Sequence, residues 1–197
     1  MEAINRSLYL MINAGDDPSF AVLWLAKLLA QQAIVLLPLL LIALWLWGGR
    51  TGRAAALTAV LCVPLALLGN LVIGLFFMHP RPFMIPLGHN WLSHKAETSF
   101  PSDHATIFFA FGLALLVAGM RRLGALVVVL GAAVGWSRVY LGVHFPFDII
   151  GALLVAIAST WALVAALACQ HLGVRLLDKL EHLHRALLRM PVDRLRK

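Results

Sequence analysis

Two histidines, two arginines and an aspartate fall in short polar segments between long apolar runs: Arg81-Pro82, Pro101-Ser102-Asp103-His104, and Ser137-Arg138 followed by His144 and Asp148. An ionisable group beside hydrocarbon is expensive, so such groups are kept there to do chemistry. The chemistry open to these types is narrow. Two guanidinium forks hold a tetrahedral oxyanion bidentately. Two imidazoles attack or move protons near neutral pH. A carboxylate four residues after a histidine shares its helix face, accepts its Nδ1–H and leaves Nε2 free as a nucleophile.

Each segment alone has a plainer reading. His144 and Asp148 are also what a helix-capping aspartate beside a chance histidine would give. Pro101-Ser102-Asp103 is a helix-start signal, and capping accounts for Ser102 and Asp103 but does not require His104. A helix N-terminus is also a ready phosphate site, with free N–H groups and a positive dipole end, and a histidine in its first turn can protonate a leaving oxygen. Arg81 alone reads as a snorkelling interfacial side chain. Together on one membrane face, the four are not a chance set.

The elements that must position them are membrane helices. The chain has 197 residues, 61% hydrophobic and only 13% charged, with a mean hydropathy of +0.88; a soluble domain carries about 25% charged residues. The apolar stretches are Phe20–Trp47 (broken by Lys27), Ala54–Met78, Ala105–Met120, Leu123–Ser137 and Ile149–Val174. A span takes roughly 20 residues, and the third and fourth stretches reach that length only if the motif residues join their helices. The expectation is an all-α polytopic membrane protein with about five or six transmembrane helices, five on this division, in a single membrane-embedded domain over 1–197. Residues 3–12 place Ile4, Leu8, Met11 and Ile12 on one face, which predicts a short interfacial helix. Met1-Glu2-Ala3 lacks a basic n-region, so no cleavable signal is expected.

The cations set the orientation. Arg50 and Arg53 follow the first stretch, Arg121 and Arg122 the third, and Arg175, Lys179, Arg185, Arg189, Arg194, Arg196 and Lys197 the fifth, which places 11 of the 16 Lys and Arg on one side. The positive-inside rule makes that side cytoplasmic and turns the motifs outward. The net charge of +7 is thus topology and tail, not a nucleic-acid surface. Within the tail, 171–197, Leu176, Leu180, Leu183 and Leu187 recur at helical spacing opposite Arg175, Lys179, Arg185 and Arg189, as in an amphipathic helix on anionic lipid. Cys62 and Cys169 lie in apolar spans without metal spacing and read as packing residues. Pro64, Gly69 and Gly74 offer a kink or close approach in the second span. Trp91 reads as part of an interfacial belt, with a lid in the 79–103 connection as the alternative.

Arg-Pro, then Pro-Ser-Asp-His, then Ser-Arg, five residues, His, three residues and Asp resembles the three-part signature of the type 2 phosphatidic acid phosphatase superfamily. The runs Ser99–His104 and Trp136–His144, and more weakly Leu8–Ala14, are similar to BcrC-type undecaprenyl-diphosphatases. The resemblance implies a phosphohistidine on His144, oriented by Asp148. It makes His104 the acid for the leaving oxygen and then the base for water. Arg81, Arg138 and Ser102 would hold the phosphoryl oxygens, with Pro82, Asp103 and His79 beside them, and neither metal nor cofactor is required. The implied reaction is undecaprenyl diphosphate to undecaprenyl phosphate and phosphate on the outer leaflet of a bacterial inner membrane, recycling the cell-wall lipid carrier. The implied partners are this lipid and the bilayer, not nucleic acid.

Two positions depart from the pattern. The family's lysine seven residues before the arginine is Gly74 here, leaving His79 or Lys95 to replace it. Asp103 stands where the family often has glycine; its carboxylate suits the helix dipole and is expected to turn away from the phosphate. The alternatives are a phosphatase or phosphotransferase for another lipid phosphate, such as phosphatidylglycerophosphate or phosphatidic acid, a non-enzymatic lipid-phosphate binding or transport protein, and a metal site on His104, His144 and Asp148.

Overall fold

The computed structural model of the chain describes residues 1–169 and 172–188; Arg189, Arg194, Arg196 and Lys197 lie outside them, as do the side chains of Cys169 and Leu187. All regular structure among the described residues is helical: α1 (Glu2–Ile12), α2 (Phe20–Gln31), α3 (Leu36–Trp47), α4 (Gly49–Phe76), α5 (Asp103–Val117), α6 (Arg121–Tyr140), α7 (Pro146–Cys169) and α8 (Leu172–Leu188).

The first apolar stretch is one span made of two helices. α2 and α3 are joined by a 3-10 turn at Ala33–Val35 and together run 28 residues, Phe20–Trp47. Pro38 has no N–H to give and its ring crowds the carbonyl four residues back, so the α-helix restarts around it. In α4, by contrast, Pro64 sits inside a helix continuous from Gly49 to Phe76. The spans over 20–47, α4, α6 and α7 are long and apolar enough to cross a membrane. The third expected span, α5, has only 15 residues, about 22 Å at 1.5 Å per residue, short of the ~30 Å hydrocarbon core.

α5 is the centre of the bundle. It packs against α4, α6 and α7, and Phe108, Phe109, Phe111 and Leu115 on it are all buried. Its approach to α6 is close because both helices carry glycine there: a Cβ on Gly112 would stand 2.7 Å from Val128 Cγ2, and one on Gly124 2.8 Å from the Gly112 carbonyl. Small residues at such crossings let backbones touch. Outside this core the polarity is that of a membrane protein: Leu71, Leu75 and Phe76 of α4, Leu126 and Val129 of α6, and Leu154 and Trp161 of α7 are exposed.

The terminal helices are amphipathic, and each uses a polar stripe to dock. α1 exposes Ile4, Leu8 and Met11 and buries Asn5 and Tyr9 against α6 and α7. α8 buries Leu177 and Glu181 and exposes Leu183. Glu181 meets Arg50 at 3.1 Å and Arg53 at 3.6 Å, and Asp178 meets Arg50 at 2.7 Å. Two of the cations read from sequence as topology signals therefore also anchor the tail helix.

Candidate active site

The N-terminal ends of α5 and α7 and the C-terminal end of α6 meet at the end of the bundle away from Arg50 and Arg121. The chain turns from α6 into α7 through Leu141–Phe145. The Val143 N–H donates to the Arg138 carbonyl (3.1 Å), and Gly142 adopts φ +85°. A Cβ on Gly142 would lie 2.2 Å from the His89 carbonyl, so no side chain fits there. The Ser102 N–H donates to the Asp148 carbonyl at 3.3 Å, tying α5 to α7.

His144 and Asp148 do meet. His144 Nδ1 lies 3.2 Å from Asp148 Oδ2, while Arg81 Nη1 stands 3.1 Å from His144 Nε2. Arginine only donates, so Nε2 accepts and the imidazole proton sits on Nδ1, directed at the carboxylate. Burial, opposed by Asp148 and reinforced by the two arginines, lowers the His144 pKa to about 4. The ring is therefore neutral at pH 7, as a nitrogen nucleophile must be. Asp148 Oδ2 also accepts from the Phe145 N–H (2.7 Å) and from the Ser99 hydroxyl. Ser99 is fully buried, and the sequence reading gave it no role.

Arg81 and Arg138 are both buried. Arg81 Nη1 also donates to the Val143 carbonyl (3.0 Å), and Arg138 Nη1 to the Ala30 carbonyl of α2 (3.5 Å). Arg81 Nε, Arg138 Nε, Arg138 Nη2 and the Ser102 hydroxyl are buried without a partner among the described residues. Burial pushes the Arg81 guanidinium below its usual value, against the pull of Asp148, Glu97 and Asp103. Unpaired buried donors of this kind are costly and call for an anion. His104, in the first turn of α5, lies within electrostatic reach of Arg138, His144, His94 and Arg81. His94 joins from the connection, its ring 6.4 Å from that of His144. Burial first and Arg81 next lower its pKa.

The remaining candidates take other places. Pro82 opens a 3-10 turn and leaves Arg81 extended at φ −73°, ψ 156°, so it aims the arginine; it has no side-chain donor to offer phosphate. Asp103 turns toward α4, where its Oδ1 accepts from Asn70 Nδ2 at 2.8 Å; the N-cap of α5 is Ser102, with no side-chain cap bond. Gly74 borders a cleft of about 340 Å³ that runs from Leu67, Leu71 and Leu75 to Arg81, Glu97 and Asp103. A Cβ on Gly74 would stand 3.1 Å from Thr98 Cγ2. Neither expected substitute for the family lysine meets an arginine: Lys95 is exposed, and His79 packs against Asp148 and Glu2. Among the described residues no group of three His, Cys, Asp or Glu is placed to hold a metal ion.

The connection over the site is pinned. Trp91 packs with Leu92, Leu141 and Val143 against Ala26 and Ala30 of α2, and its indole donates to the Ala14 carbonyl at 3.4 Å. Asn13 clasps the same region, donating to the His89 and Tyr140 carbonyls and accepting from the His89 N–H. Trp91 thus has a packed place in the cap, where the sequence suggested a belt residue.

Residues 54–170 match the PAP2 superfamily. The chain belongs to this superfamily. It is 38% identical over 129 residues to the undecaprenyl-diphosphatase BcrC of Bacillus subtilis (strain 168), covering 66% of each chain. It is 37% identical over 192 residues to YbjG of Escherichia coli (strain K12), assigned the same activity by name, covering 98% of this chain and 96% of YbjG. The crystal structure of Aquifex aeolicus LpxE superposes with a TM-score of 0.67 at 25% identity, over 82% of this chain and 95% of LpxE. A PAP2-type phosphatidylglycerolphosphate phosphatase of Bacillus subtilis shares the fold, with a TM-score of 0.60 at 20% identity over 83% and 84% of the two chains. The PAP2 protein described here is accordingly a membrane-bound lipid phosphate hydrolase.

Proposed function

We propose that this PAP2 enzyme hydrolyses undecaprenyl diphosphate to undecaprenyl phosphate and inorganic phosphate through a phosphohistidine on His144. The observation that carries the reaction is a neutral, Asp148-oriented His144 beside two buried arginines with unpaired N–H groups. A binding protein needs such arginines but has no use for the dyad. The lipid comes from the relatives named for that activity.

The site's own atoms supply the steps. The terminal phosphoryl group binds the unpaired N–H groups of Arg81 and Arg138 and the Ser102 hydroxyl, and draws Arg81 off Nε2. The freed Nε2 lone pair attacks phosphorus in line, the bond to the bridging oxygen breaks, and undecaprenyl phosphate leaves with a proton from His104. His104 then takes a proton from water, whose oxygen attacks the phosphohistidine, releasing phosphate and restoring His144. Arginines held in place for this charge act mainly by electrostatic stabilisation. The grouping of cations at the opposite end of the bundle supports an outward-facing site.

The test is phosphate release by the purified protein from undecaprenyl diphosphate, phosphatidylglycerophosphate and phosphatidic acid, with EDTA present throughout. Fastest release from the diphosphate is expected, together with loss of turnover in His144→Ala. A faster rate on either glycerolipid would reassign the substrate. Release abolished by EDTA and restored by a divalent ion would overturn the metal-free scheme.

A further inference from the structure

Asp148 is satisfied on one side only. Its Oδ2 accepts from Ser99, His144 and the Phe145 N–H, whereas Oδ1 is buried and has no partner among the described residues. The group facing Oδ1 is His79 Nδ1, at 3.9 Å, and that nitrogen is likewise buried without a hydrogen-bond partner among the described residues. A buried polar atom left unpaired is costly. A donor and an acceptor orphaned opposite one another remove both costs by closing on each other. Contacts of this kind commonly run long in a resting site and tighten when substrate binds.

His79 is built into this position. Its N–H donates to Thr98 Oγ1 (3.2 Å) and its carbonyl accepts from the Ser99 N–H (2.7 Å). The ring stacks on Phe77 and meets Phe145 edge-on at 5.2 Å. On its far side Nε2 stands 3.4 Å from Glu2 Oε2 of α1. Arg6 Nε donates to Glu2 at 2.8 Å, and that bond, with His79 adding, holds the Glu2 carboxyl below its usual range. α1 is fixed beside Asp148 by a second bond, from the Phe147 N–H to Asn5 Oδ1 at 3.0 Å.

We propose that Glu2 and His79 extend the catalytic dyad into a chain, Glu2–His79–Asp148–His144, in which His79, donating from both ring nitrogens to the two carboxylates, is a positioning residue that holds Asp148 Oδ1 and so keeps Oδ2 aligned on His144. This rests on the reading of His144 as the nucleophile. It gives His79 a place behind the carboxylate, away from the phosphate, and makes the interfacial helix α1 part of the catalytic apparatus. Outer partners of metal-bound histidines change activity by about 10–100-fold when removed, and the same range is expected for an outer partner of a nucleophilic histidine.

The experiment measures kcat and KM on undecaprenyl diphosphate for wild type, His79→Ala, His79→Asn, Glu2→Gln and His144→Ala, each checked by its melting temperature in detergent. His79→Ala is expected to lower kcat by about 10–100-fold with KM unchanged. His79→Asn sets an amide N–H where Nδ1 stood and should regain several-fold over alanine. Glu2→Gln, on an exposed helix face, should lower kcat with KM unchanged and without loss of melting temperature, and it reads the chain even if His79→Ala misfolds. A wild-type rate in His79→Ala, a rise in KM with kcat intact, asparagine no better than alanine, or an unaltered Glu2→Gln would each overturn the chain. Turnover retained in His144→Ala would instead sink the nucleophile itself, a result distinct from any in the His79 series.

Discussion

At the scale of single residues, the contact between Arg81 and His144 Nε2 decides how the site rests. The nucleophile's lone pair is engaged by the same guanidinium that is proposed to bind the phosphoryl group, so substrate binding and release of the nucleophile are one event. Burial has already cost His144 its charge, and a pKa of about 4 compares with ~6.5 for a free histidine. The attacking form is the neutral one, present above that value and lost below it. The acid limb of phosphoenzyme formation attributable to His144 should therefore fall near pH 4, not in the usual histidine range; a limb at pH 6–7 that vanished only in His144 variants would contradict this. Stability runs the same way: as pH falls from about 6.5 toward 4 the unfolded chain takes up the proton first, and folding weakens through that window. Ser99 offers a second test. Its hydroxyl is one of three donors on Asp148 Oδ2, so Ser99→Ala should lower kcat by about tenfold or more with little change in KM. Unchanged steady-state kinetics would make Ser99 a packing residue.

At the scale of elements, the short α5 is what brings the motifs together, and the first span adds the Ala30 carbonyl that accepts from Arg138. α5 spends its first turn on the site and its remainder in the core, so it presents Ser102, Asp103 and His104 where α6 ends and α7 begins. Sequence made the spans legible because each is a long, almost uncharged apolar run, and the motif residues legible because each motif is short and chemically costly. It did not reveal the partners that come from elsewhere in the chain. Ser99, Asn70 and Glu2 had no role assigned from sequence. Their roles depend on packing across 49, 33 and 77 positions of sequence respectively. The tail helix shows the same limit: its leucine spacing marked an amphipathic helix, but the stripe that docks includes Glu181. Its ion pairs with Arg50 and Arg53 lead to a separable expectation. Glu181→Ala should speed amide exchange in α8 and lower the melting temperature, while phosphate release stays at the wild-type rate because the site lies at the other end. Equal exchange in mutant and wild type would show that Leu177 alone seats the helix.

At the scale of the whole molecule, the bundle is polarised along its axis. The site, its cap and α1 occupy one end; the starts of α4 and α6, carrying Arg50, Arg53, Arg121 and Arg122, occupy the other with α8. Cations near the ends of spans are retained on the cytoplasmic side, and an anionic inner leaflet attracts exposed cations such as Arg175 and Lys179. The diphosphate end of the lipid would then be cleaved outside the membrane. An impermeant thiol reagent applied to intact cells tests this in a background lacking Cys62 and Cys169. A cysteine replacing Lys95, which is exposed in the cap, should label from outside. One replacing Arg122, exposed at the opposite end, should label only after the membrane is permeabilised. Both substitutions lie away from the catalytic side chains, so each labelled variant can also be assayed for phosphate release, which establishes that the topology reported is that of active enzyme. The reverse pattern in active protein would turn the site to the cytoplasm. The arginines and the dyad would keep their chemistry, but the substrate would have to be a lipid phosphate presented on the inner leaflet.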